Sequence, residues 1–531
     1  MAKRVAIIGA GISGLLACKY ALSIGLDPVV FEAESYVGGL WNHTIECTRL
    51  QSHKDYFQFS DFPWPNSIKS NYPKNEQVLE YVNSYADHFN LFQYIHFNSR
   101  VTSISYEGES KDEMAKWTSW GGAGTAFGSQ GKWRLQVHVQ PSGDFQFHDA
   151  DFVIVCIGKF SGLPSVPEFP PGRGPEVFSG KVLHSMDYSD MDNGSAAEFI
   201  KGKRVAVIGS GKSAIDIAYE CGRANGSEIP CTVIHRNAHW MLPYDLPWVV
   251  AFGLLCFTRF SEMMVHKPGE TFFATILATL LLPLRWLMSK ILEISLQWKL
   301  PLKKYDMIPK ENFLEEANSC QVIMLQDNFF DWVVNESIVF KKIENFSFCK
   351  EGLIVDGEDK TIEVDIVIFA TGYKGDEKLK SIFASHTFQN NIFGLPNSTV
   401  PLYRQMINPR IPRLAVVGYS ESLSNLYTFE MRCRWLAFFL SGAFPLPSIK
   451  EMEDDIRMWE RYMKKYAGNG EFKRGCIAGI HIWYNDQLCR DIGCNPMRKS
   501  GILAELFEPY GMADYDGITP ARWMKSSYFN K

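Results

Sequence analysis

The first forty residues of the chain constrain its fold more than any other stretch. Residues 3–8 (KRVAII) form an apolar run typical of a buried strand, and the pattern Gly9-x-Gly11-x-x-Gly14 and a helical run follow at once. A second apolar run then ends at an acid, Glu32. This order is typical of a dinucleotide-binding unit, in which a pyrophosphate binds at the helix N-terminus and the acid binds a ribose. The sequence therefore predicts an α/β fold that begins with a Rossmann-type domain.

A second unit of the same kind begins about two hundred residues later. Residues 203–208 (KRVAVI) repeat the opening strand, and another helix follows. The turn between them contains Gly209, Gly211 and Ser213. The next strand ends in Arg236 rather than in an acid. Because a cation suits the 2′-phosphate of NADPH and a carboxylate would repel it, we expect Arg236 to select NADPH, with Lys212 as a second cation.

Length and composition exclude several classes of protein. The 531 residues suffice for two or three domains, and a formal net charge of -5 gives no electrostatic reason to expect a nucleic-acid partner. The 12 cysteines include no C-x-x-C pair, which argues against a disulfide framework, a zinc site and a dithiol redox centre. We therefore expect no metal and a reducing, intracellular location. The first glycine turn follows Met1 so closely that we expect no cleavable signal peptide.

Other motifs resemble those of flavin-containing monooxygenases. Gly38-Gly39-Leu40-Trp41 is similar to the FAD-binding segment of two-dinucleotide flavoproteins, and Phe178-x-Gly180-x-x-x-His184-x-x-x-Tyr188 resembles the family signature at every position. The strand that ends at Thr371-Gly372 resembles the segment that joins the two domains in members of the family. The resemblance implies that Thr371 and Gly372 contribute to the NADPH site or to the domain junction. The resemblance implies that FAD binds the first turn, Glu32 and residues 38–41, and that NADPH binds the second turn.

The same resemblance implies a discontinuous FAD domain with an NADPH domain inserted into it. We expect the FAD domain to comprise residues 1–165 and 331–531. We expect the NADPH domain at residues 166–330, with an apolar helical insertion at about 246–300.

Two residues of these motifs are candidates for the reactive site. Flavin-containing monooxygenases carry an asparagine that faces the flavin, nine residues before a Ser-Asp-Phe-Pro loop, and here that position is Gln51. Its amide offers the same donor and acceptor, one methylene further out. The resemblance therefore implies a flavin-facing amide in an altered position. We interpret His184 as an orienting residue at the domain junction rather than as a proton shuttle.

The resemblance covers nearly the whole chain and implies an oxygenase. It implies that NADPH would reduce FAD, that the reduced flavin would capture O2 as a C4a-hydroperoxide, and that one oxygen atom would pass to a nucleophilic nitrogen or sulfur of a small molecule. The loops at 48–65 and 178–188 look most like the plant defence branch, which favours N-hydroxylation of an amine such as pipecolic acid.

Two alternatives stay open at this point. One is a monooxygenase of the auxin-pathway type, which decarboxylates an indole-3-keto acid; such chains usually lack an insertion like 246–300. The other is a non-enzymatic binding protein with a flavoprotein fold, which would not require an intact second glycine turn with Arg236.

The insertion contains the most apolar part of the sequence. Leu246–Thr258 and Thr271–Leu284 are two runs without charge, each shorter than the roughly 20 residues that span a bilayer. We therefore expect no transmembrane helix. We favour a buried helical insertion or a substrate-access lid; the alternative is a membrane-surface patch, for which Trp286 and Trp298 would suit the interface. The corresponding location is the cytoplasm or the periphery of the endoplasmic reticulum membrane.

Overall fold

The computed structural model describes residues 2–244, 255–356, 361–394, 398–466 and 475–520. Its strands are β1 Arg4–Ile8, β2 Asp27–Phe31, β3 Ile95–His96, β4 Ser99–Glu107, β5 Lys132–Val139, β6 Asp144–Ala150, β7 Phe152–Val155, β8 Lys181–His184, β9 Val205–Ile208, β10 Cys231–His235, β11 Met241–Pro243, β12 Ile323–Leu325, β13 Ile338–Lys342, β14 Phe346–Cys349, β15 Gly352–Val355, β16 Thr361–Glu363, β17 Ile366–Phe369 and β18 Leu414–Val416. Its α-helices are α1 Ile12–Ser23, α2 Asn75–His88, α3 Lys111–Ala115, α4 Ser185–Ser189, α5 Asn193–Ile200, α6 Lys212–Asn225, α7 Arg259–Met263, α8 Phe272–Lys299, α9 Phe313–Asn318, α10 Phe329–Val334, α11 Gly375–Ser381, α12 His386–Phe393, α13 Asn425–Leu440, α14 Ile449–Tyr466, α15 His481–Asp491 and α16 Ile502–Phe507.

A parallel sheet of order β18-β7-β1-β2-β3 forms the first domain. Its central strands β1 and β7 are almost entirely buried, which explains why their sequences are continuous apolar runs without alternation. β1 leads directly into the first glycine turn and α1. Because β18 comes from residues beyond 410, the first domain is discontinuous along the chain, as predicted.

A second parallel sheet, of order β13-β10-β9-β17-β8, carries the second glycine turn. The prediction of two Rossmann-type domains is confirmed by the two sheets. β13 and β17 both lie beyond residue 330, where the sequence predicted the return to the first domain. We therefore propose that the chain leaves the second domain after Phe369. At this crossing Ser165 N donates to Gly372 O at 2.9 Å, so the outgoing and returning segments lie side by side.

Helix α13 fixes the Ser-Asp-Phe-Pro loop to the core of the first domain. The helix is buried along nearly its whole length, and its Glu430 accepts hydrogen bonds from Tyr20 Oη at 2.6 Å and from Ser60 N at 3.0 Å. Burial alone would raise the pKa of Glu430, but Arg434 and Lys19 outweigh burial and hold that pKa below its usual value. The loop that follows Gln51 in the sequence is thus held by a fully paired buried carboxylate.

Helix α8 corrects the prediction for the insertion. It is a single 28-residue helix, about 42 Å long at 1.5 Å per residue, and among the described residues it is the one helix whose length and composition suit a membrane span. Most of its large apolar side chains face outward, with Phe273 81% and Trp298 89% exposed, so a fully buried insertion is wrong for this helix. The run Leu246–Thr258 lies mostly outside the described residues.

The charges that ended the apolar run in the sequence lie on the inner side of α8. Glu293 is buried and accepts hydrogen bonds from Ser289 Oγ at 2.8 Å and from Phe313 N at 3.0 Å. Burial also lowers the pKa of Arg285. The buried side of α8 therefore combines polar groups with Leu292 and Leu296, while its outer side carries large apolar side chains in place of the polar face that is usual for a surface helix.

Cys320 and Cys476 form a disulfide that the sequence did not predict. The two residues are 156 positions apart, so no local spacing indicates the pair. The other ten cysteines, all in the described ranges, are free thiols. The bridge joins the chain segment that follows α9 to the segment that precedes α15. The expectation that the cysteines stay unpaired is wrong at this position.

Candidate functional site

The first glycine turn forms a cradle that side chains would obstruct. A methyl group on Gly14 would lie 1.9 Å from the Gly9 carbonyl oxygen, and one on Gly9 would lie 2.6 Å from Cys156 O. Gly11 ends the turn at the α1 N-terminus, where no side-chain cap occupies the free backbone amides. An anionic pyrophosphate fits such a helix end, because the amides and the helix dipole both favour negative charge.

Glu32 and the Gly38-Gly39 segment complete this cradle. The Glu32 carboxylate is buried and oriented by Ala10 N at 2.5 Å and Glu34 N at 3.0 Å, which fixes it beside the turn. Gly38 N donates to Ala10 O at 3.1 Å, and Gly39 packs directly on Gly11. The structure thus brings the first glycine turn, Glu32 and the Gly38-Gly39 segment together, and this arrangement of backbone amides and a buried acid suits FAD. Their contacts with FAD stay predictions.

The second glycine turn has the same architecture in the other sheet. Gly209 adopts φ +136°, and a methyl group there would lie 2.4 Å from Ala370 O at the end of β17. A methyl group on Gly211 would meet nothing within 4 Å, so the N-terminus of α6 faces open space. Thr371 and Gly372 follow β17 directly, which places them beside this turn. The turn therefore offers a second open site for a pyrophosphate.

A cleft of about 1710 Å³ is lined by both domains. Ten of the residues predicted as site residues line it: Leu40, Trp41, Gln51, Gly209, Gly211, Lys212, Ser213, Arg236, Thr371 and Gly372. The residues of the first turn, Glu32 and His184 are not among its walls. The cleft thus joins the second glycine turn to Leu40, Trp41 and Gln51 of the first domain, the residues predicted to lie beside the flavin.

The two predicted phosphate cations occupy different environments. Arg236 is exposed at the end of β10, and within the described ranges its guanidinium makes no ion pair. Lys212 instead directs its ammonium to Asp216 Oδ1 at 2.6 Å and to Met324 O at 3.1 Å. The roles of Arg236 and Lys212 toward a 2′-phosphate both stay predictions, for which the guanidinium is exposed and the ammonium is engaged with Asp216.

Gln51 lies in the cleft but is engaged with the second domain. Its Oε1 accepts a hydrogen bond from Met324 N at 3.4 Å, at the middle of β12. The predicted contact of Gln51 with a flavin stays a prediction.

His184 and Tyr188 of the signature hold the domain junction. His184 Nδ1 accepts from Met186 N at 3.1 Å and caps α4, and burial lowers the pKa of its ring, which favours the neutral form. The ring packs edge-on against Tyr373, just after the return crossing, at 5.3 Å between centroids. Tyr188 Oη donates to Glu220 at 2.8 Å. These contacts suit the orienting role that the sequence predicts for His184, which stays a prediction.

Sequence reasoning missed the acids of α6 that face the first domain. Asp216 and Glu220 are four residues apart, so they share one face of the helix, and both are bonded to residues 47–48. The spacing was visible in the sequence. Nothing in it distinguished these acids from charges that face solvent, because their partners lie about 170 residues away.

The sequence of the chain matches a known protein family. A sequence model described as "FMO-like: Flavin-binding monooxygenase-like" matches residues 2–508, nearly the whole chain. The chain belongs to this family. Flavin-containing monooxygenases of this kind are oxidoreductases that use FAD and NADPH, so the predictions of the enzyme class and of both cofactors are confirmed, and the non-enzymatic alternative is dropped.

Individual flavin-containing monooxygenases match over almost their full length. The chain is 40% identical to "Probable flavin-containing monooxygenase 1" of Arabidopsis thaliana over 517 residues, 96% of each chain. It is 28% identical to "Dimethylaniline monooxygenase [N-oxide-forming] 2" of Cavia porcellus, covering 98% of this chain and 90% of that one. The prediction of the plant branch is thereby confirmed by the first relative.

Solved structures establish the fold independently. The S-allyl-L-cysteine S-oxygenase of Allium sativum superposes with a TM-score of 0.59 at 18% identity, covering 93% of this chain and 89% of that one. An oxidized steroid monooxygenase bound to NADP gives a TM-score of 0.64 at 18% identity, covering 92% and 97%. At this identity the likeness concerns the two-dinucleotide flavoprotein fold alone.

Proposed function

We propose that this flavin-containing monooxygenase transfers one oxygen atom of O2 to a nucleophilic nitrogen or sulfur of a small molecule, with N-hydroxylation of an amine such as pipecolic acid as the favoured case. The shared cleft carries the proposal, because Trp41 and Gln51 of the flavin side line it together with Gly211 of the second turn. Nitrogen and sulfur are both supported as acceptor atoms, since one similar protein is named N-oxide-forming and another is named an S-oxygenase.

The protein's own contribution is binding, orientation and exclusion of water. When bound, FAD supplies the redox and oxygen chemistry that side chains lack. The α1 N-terminus and Glu32 hold one dinucleotide, and the α6 N-terminus and Arg236 hold the other. The aromatic walls of the cleft, with Tyr56 stacked on Phe257 at 4.1 Å, supply an apolar surface near Gln51. Such a site needs no acid–base pair to activate a substrate that is itself nucleophilic.

The test uses the purified yellow protein, NADPH and isotopically labelled O2. Pipecolate, S-allyl-cysteine and indole-3-pyruvate are supplied separately, and products are identified by mass spectrometry. We expect label in a hydroxylated amine or a sulfoxide and a faster consumption of NADPH when that substrate is present. Loss of carbon dioxide from indole-3-pyruvate as the main reaction would favour the auxin-pathway alternative and overturn the proposal. Formation of peroxide with no labelled product from any amine or sulfide would also count against it.

We further propose that α8 rests on the surface of a phospholipid bilayer. Its outer face is a continuous series of exposed apolar side chains that includes Trp286 and Trp298, the residue type that membrane interfaces favour. None of the described residues of α8 lines the cleft, so a lid over the site does not account for this face. An exposed apolar face of this size indicates a binding surface, and a helix that presents large apolar side chains outward suits lipid.

Flotation with phosphatidylcholine vesicles tests the membrane proposal. The full chain is compared with a variant carrying Phe273→Ser, Leu280→Ser and Trp298→Ser. The matched control replaces the exposed Phe145 and Phe147 of β6 by serine. We expect the α8 variant to bind vesicles at least about tenfold more weakly, because each large apolar side chain contributes about 1.5–3 kcal/mol when fully buried. Equal binding of all three proteins, or no binding of the unaltered chain, would refute the proposal.

A further inference from the structure

The segment Cys47–Gln51 is held by both domains. Its own domain contributes backbone bonds such as Leu50 N to Pro73 O at 3.0 Å. The contacts with the second domain involve four of the five residues. They are Cys47 N to Glu220 Oε1 at 3.1 Å, Gln326 Nε2 to Cys47 O at 2.7 Å, Thr48 Oγ1 to Asp216 Oδ2 at 2.8 Å, Arg49 with Asp327 at 3.0 Å, and Met324 N to Gln51 Oε1 at 3.4 Å.

Asp216 is the centre of these contacts. It is 1% exposed and lies one turn after Lys212 on α6. Its Oδ1 accepts from Lys212 Nζ at 2.6 Å and from Gln326 Nε2 at 2.9 Å, and its Oδ2 accepts from Thr48 Oγ1 at 2.8 Å. A buried carboxylate is stable only when it is paired and hydrogen-bonded. Here the pairing draws one cation and one amide from the second domain and one hydroxyl from the first.

Lys212 links this centre to the second glycine turn. It directly follows Gly211 and is the first residue of α6, whose N-terminal amides face the open dinucleotide site. Its ammonium also donates to Met324 O at 3.1 Å, while Met324 N bonds to Gln51. Two short routes therefore run from the turn to the Gln51 segment, one through Asp216 and Thr48 and one through Met324.

We propose that Asp216 is a positioning residue that couples occupancy of the NADPH site to the placement of Gln51 through Thr48. The inference rests on the role of the second turn in binding NADPH. The Lys212 ammonium pairs with Asp216, and an anionic dinucleotide at the α6 N-terminus attracts the same ammonium. Withdrawal of that charge changes the bonds that Asp216 makes to Thr48 and Gln326. The segment that carries Gln51 then differs between the nucleotide-bound and nucleotide-free enzyme.

Hydrogen exchange of the holoenzyme with and without NADP⁺ tests the coupling. The variants are Asp216→Asn, Thr48→Val and their combination, with Asp331→Asn as a control that changes an exposed carboxylate of the same domain. For the unaltered enzyme and the control, we expect NADP⁺ to change exchange of the amides at 47–51 by about fivefold or more, the lower end of measured couplings. For each variant we expect less than about twofold, and no further loss in the combination, because both act through one contact.

The outcomes separate this inference from the proposed function. If the unaltered enzyme does not bind NADP⁺ in calorimetry, the role of the second turn fails. If it binds NADP⁺ and Asp216→Asn keeps the full change at 47–51, the coupling is refuted. Steady-state assays add a second readout: we expect the peroxide formed per NADPH to rise in Asp216→Asn while KM for NADPH changes less than about threefold. Should Asp216→Asn not fold, Thr48→Val, which removes only a hydroxyl, decides the question.

Discussion

Replacing Arg236 by alanine should weaken the binding of the 2′-phosphorylated cofactor and leave the binding of the cofactor without that phosphate nearly unchanged. Arg236 is exposed and makes no ion pair within the described ranges, so its removal breaks no internal bond. At about 4 Å and an effective dielectric constant of about 20, two opposite unit charges attract by about 4 kcal/mol. Loss of hydration offsets part of this, which leaves about 1.5–3 kcal/mol, the range of hydrogen bonds to charged groups. Since about 1.4 kcal/mol is tenfold, the affinity for the 2′-phosphorylated cofactor should fall roughly 10- to 150-fold.

Calorimetric titration of the holoenzyme with NADP⁺ and NAD⁺ measures this directly. We expect Arg236→Ala to raise the Kd of NADP⁺ by that factor and to leave the Kd of NAD⁺ within about twofold. Arg223→Ala is the matched control, because Arg223 lies in the last turn of α6, at the end of that helix opposite the glycine turn. Equal changes for both nucleotides in Arg236→Ala, or the same selectivity loss in Arg223→Ala, would refute the phosphate role.

Three further predictions concern the first domain and the C-terminal region. Gly11→Ala should leave the protein folded but without flavin absorbance, since its methyl group meets only ordinary contacts at 3.6 Å, whereas Gly14→Ala should also lower thermal stability; a yellow Gly11→Ala protein would contradict the first site. Glu430→Ala should cost about 3–5 kcal/mol by leaving Arg434 buried without its carboxylate, and unaltered thermal unfolding would argue against that pairing. Burial lowers the pKa of His481 from 6.5 to about 4, so the unfolded chain takes up a proton that the native one refuses, and the contribution of His481 to stability falls by up to roughly 3 kcal/mol as pH drops from 6.5 to 4. His481→Gln should flatten this dependence in thermal unfolding at pH 7 and 5 (an unchanged slope would assign it to other groups).

The parts of the site that the sequence predicts are those encoded locally. Gly9, Gly14 and Gly209 sit where backbone atoms would clash with any side chain, and such a requirement appears as a fixed pattern within a few residues. Glu32 and Arg236 can be predicted from the sequence as well, because each follows a strand at a set distance from its glycine turn. These features establish the two-domain fold and the cofactors before any coordinates are needed.

The parts that the sequence does not predict depend on contacts between distant segments. Asp216 is a core residue only because Thr48 lies against it, and Cys320 pairs only because Cys476 is brought beside it. The boundary that we propose after Phe369 depends on the same kind of contact, since β17 pairs with β9 of the second sheet. The prediction for helix α8 is wrong because Arg285 ends the apolar run in the sequence, yet Arg285 is partly buried and the following Glu293 is buried against the protein in the fold.

The outward apolar face of α8 also bears on any thermodynamic measurement made in plain buffer. Without lipid, the exposed rings of Phe273 and Trp298 can lose water contact only against a second molecule, so self-association competes with the monomer. Association that favours the folded chain raises its apparent melting temperature with protein concentration. Melting curves of this enzyme are therefore comparable only at matched protein and detergent concentration, and a plateau on dilution marks the stability of the monomer itself.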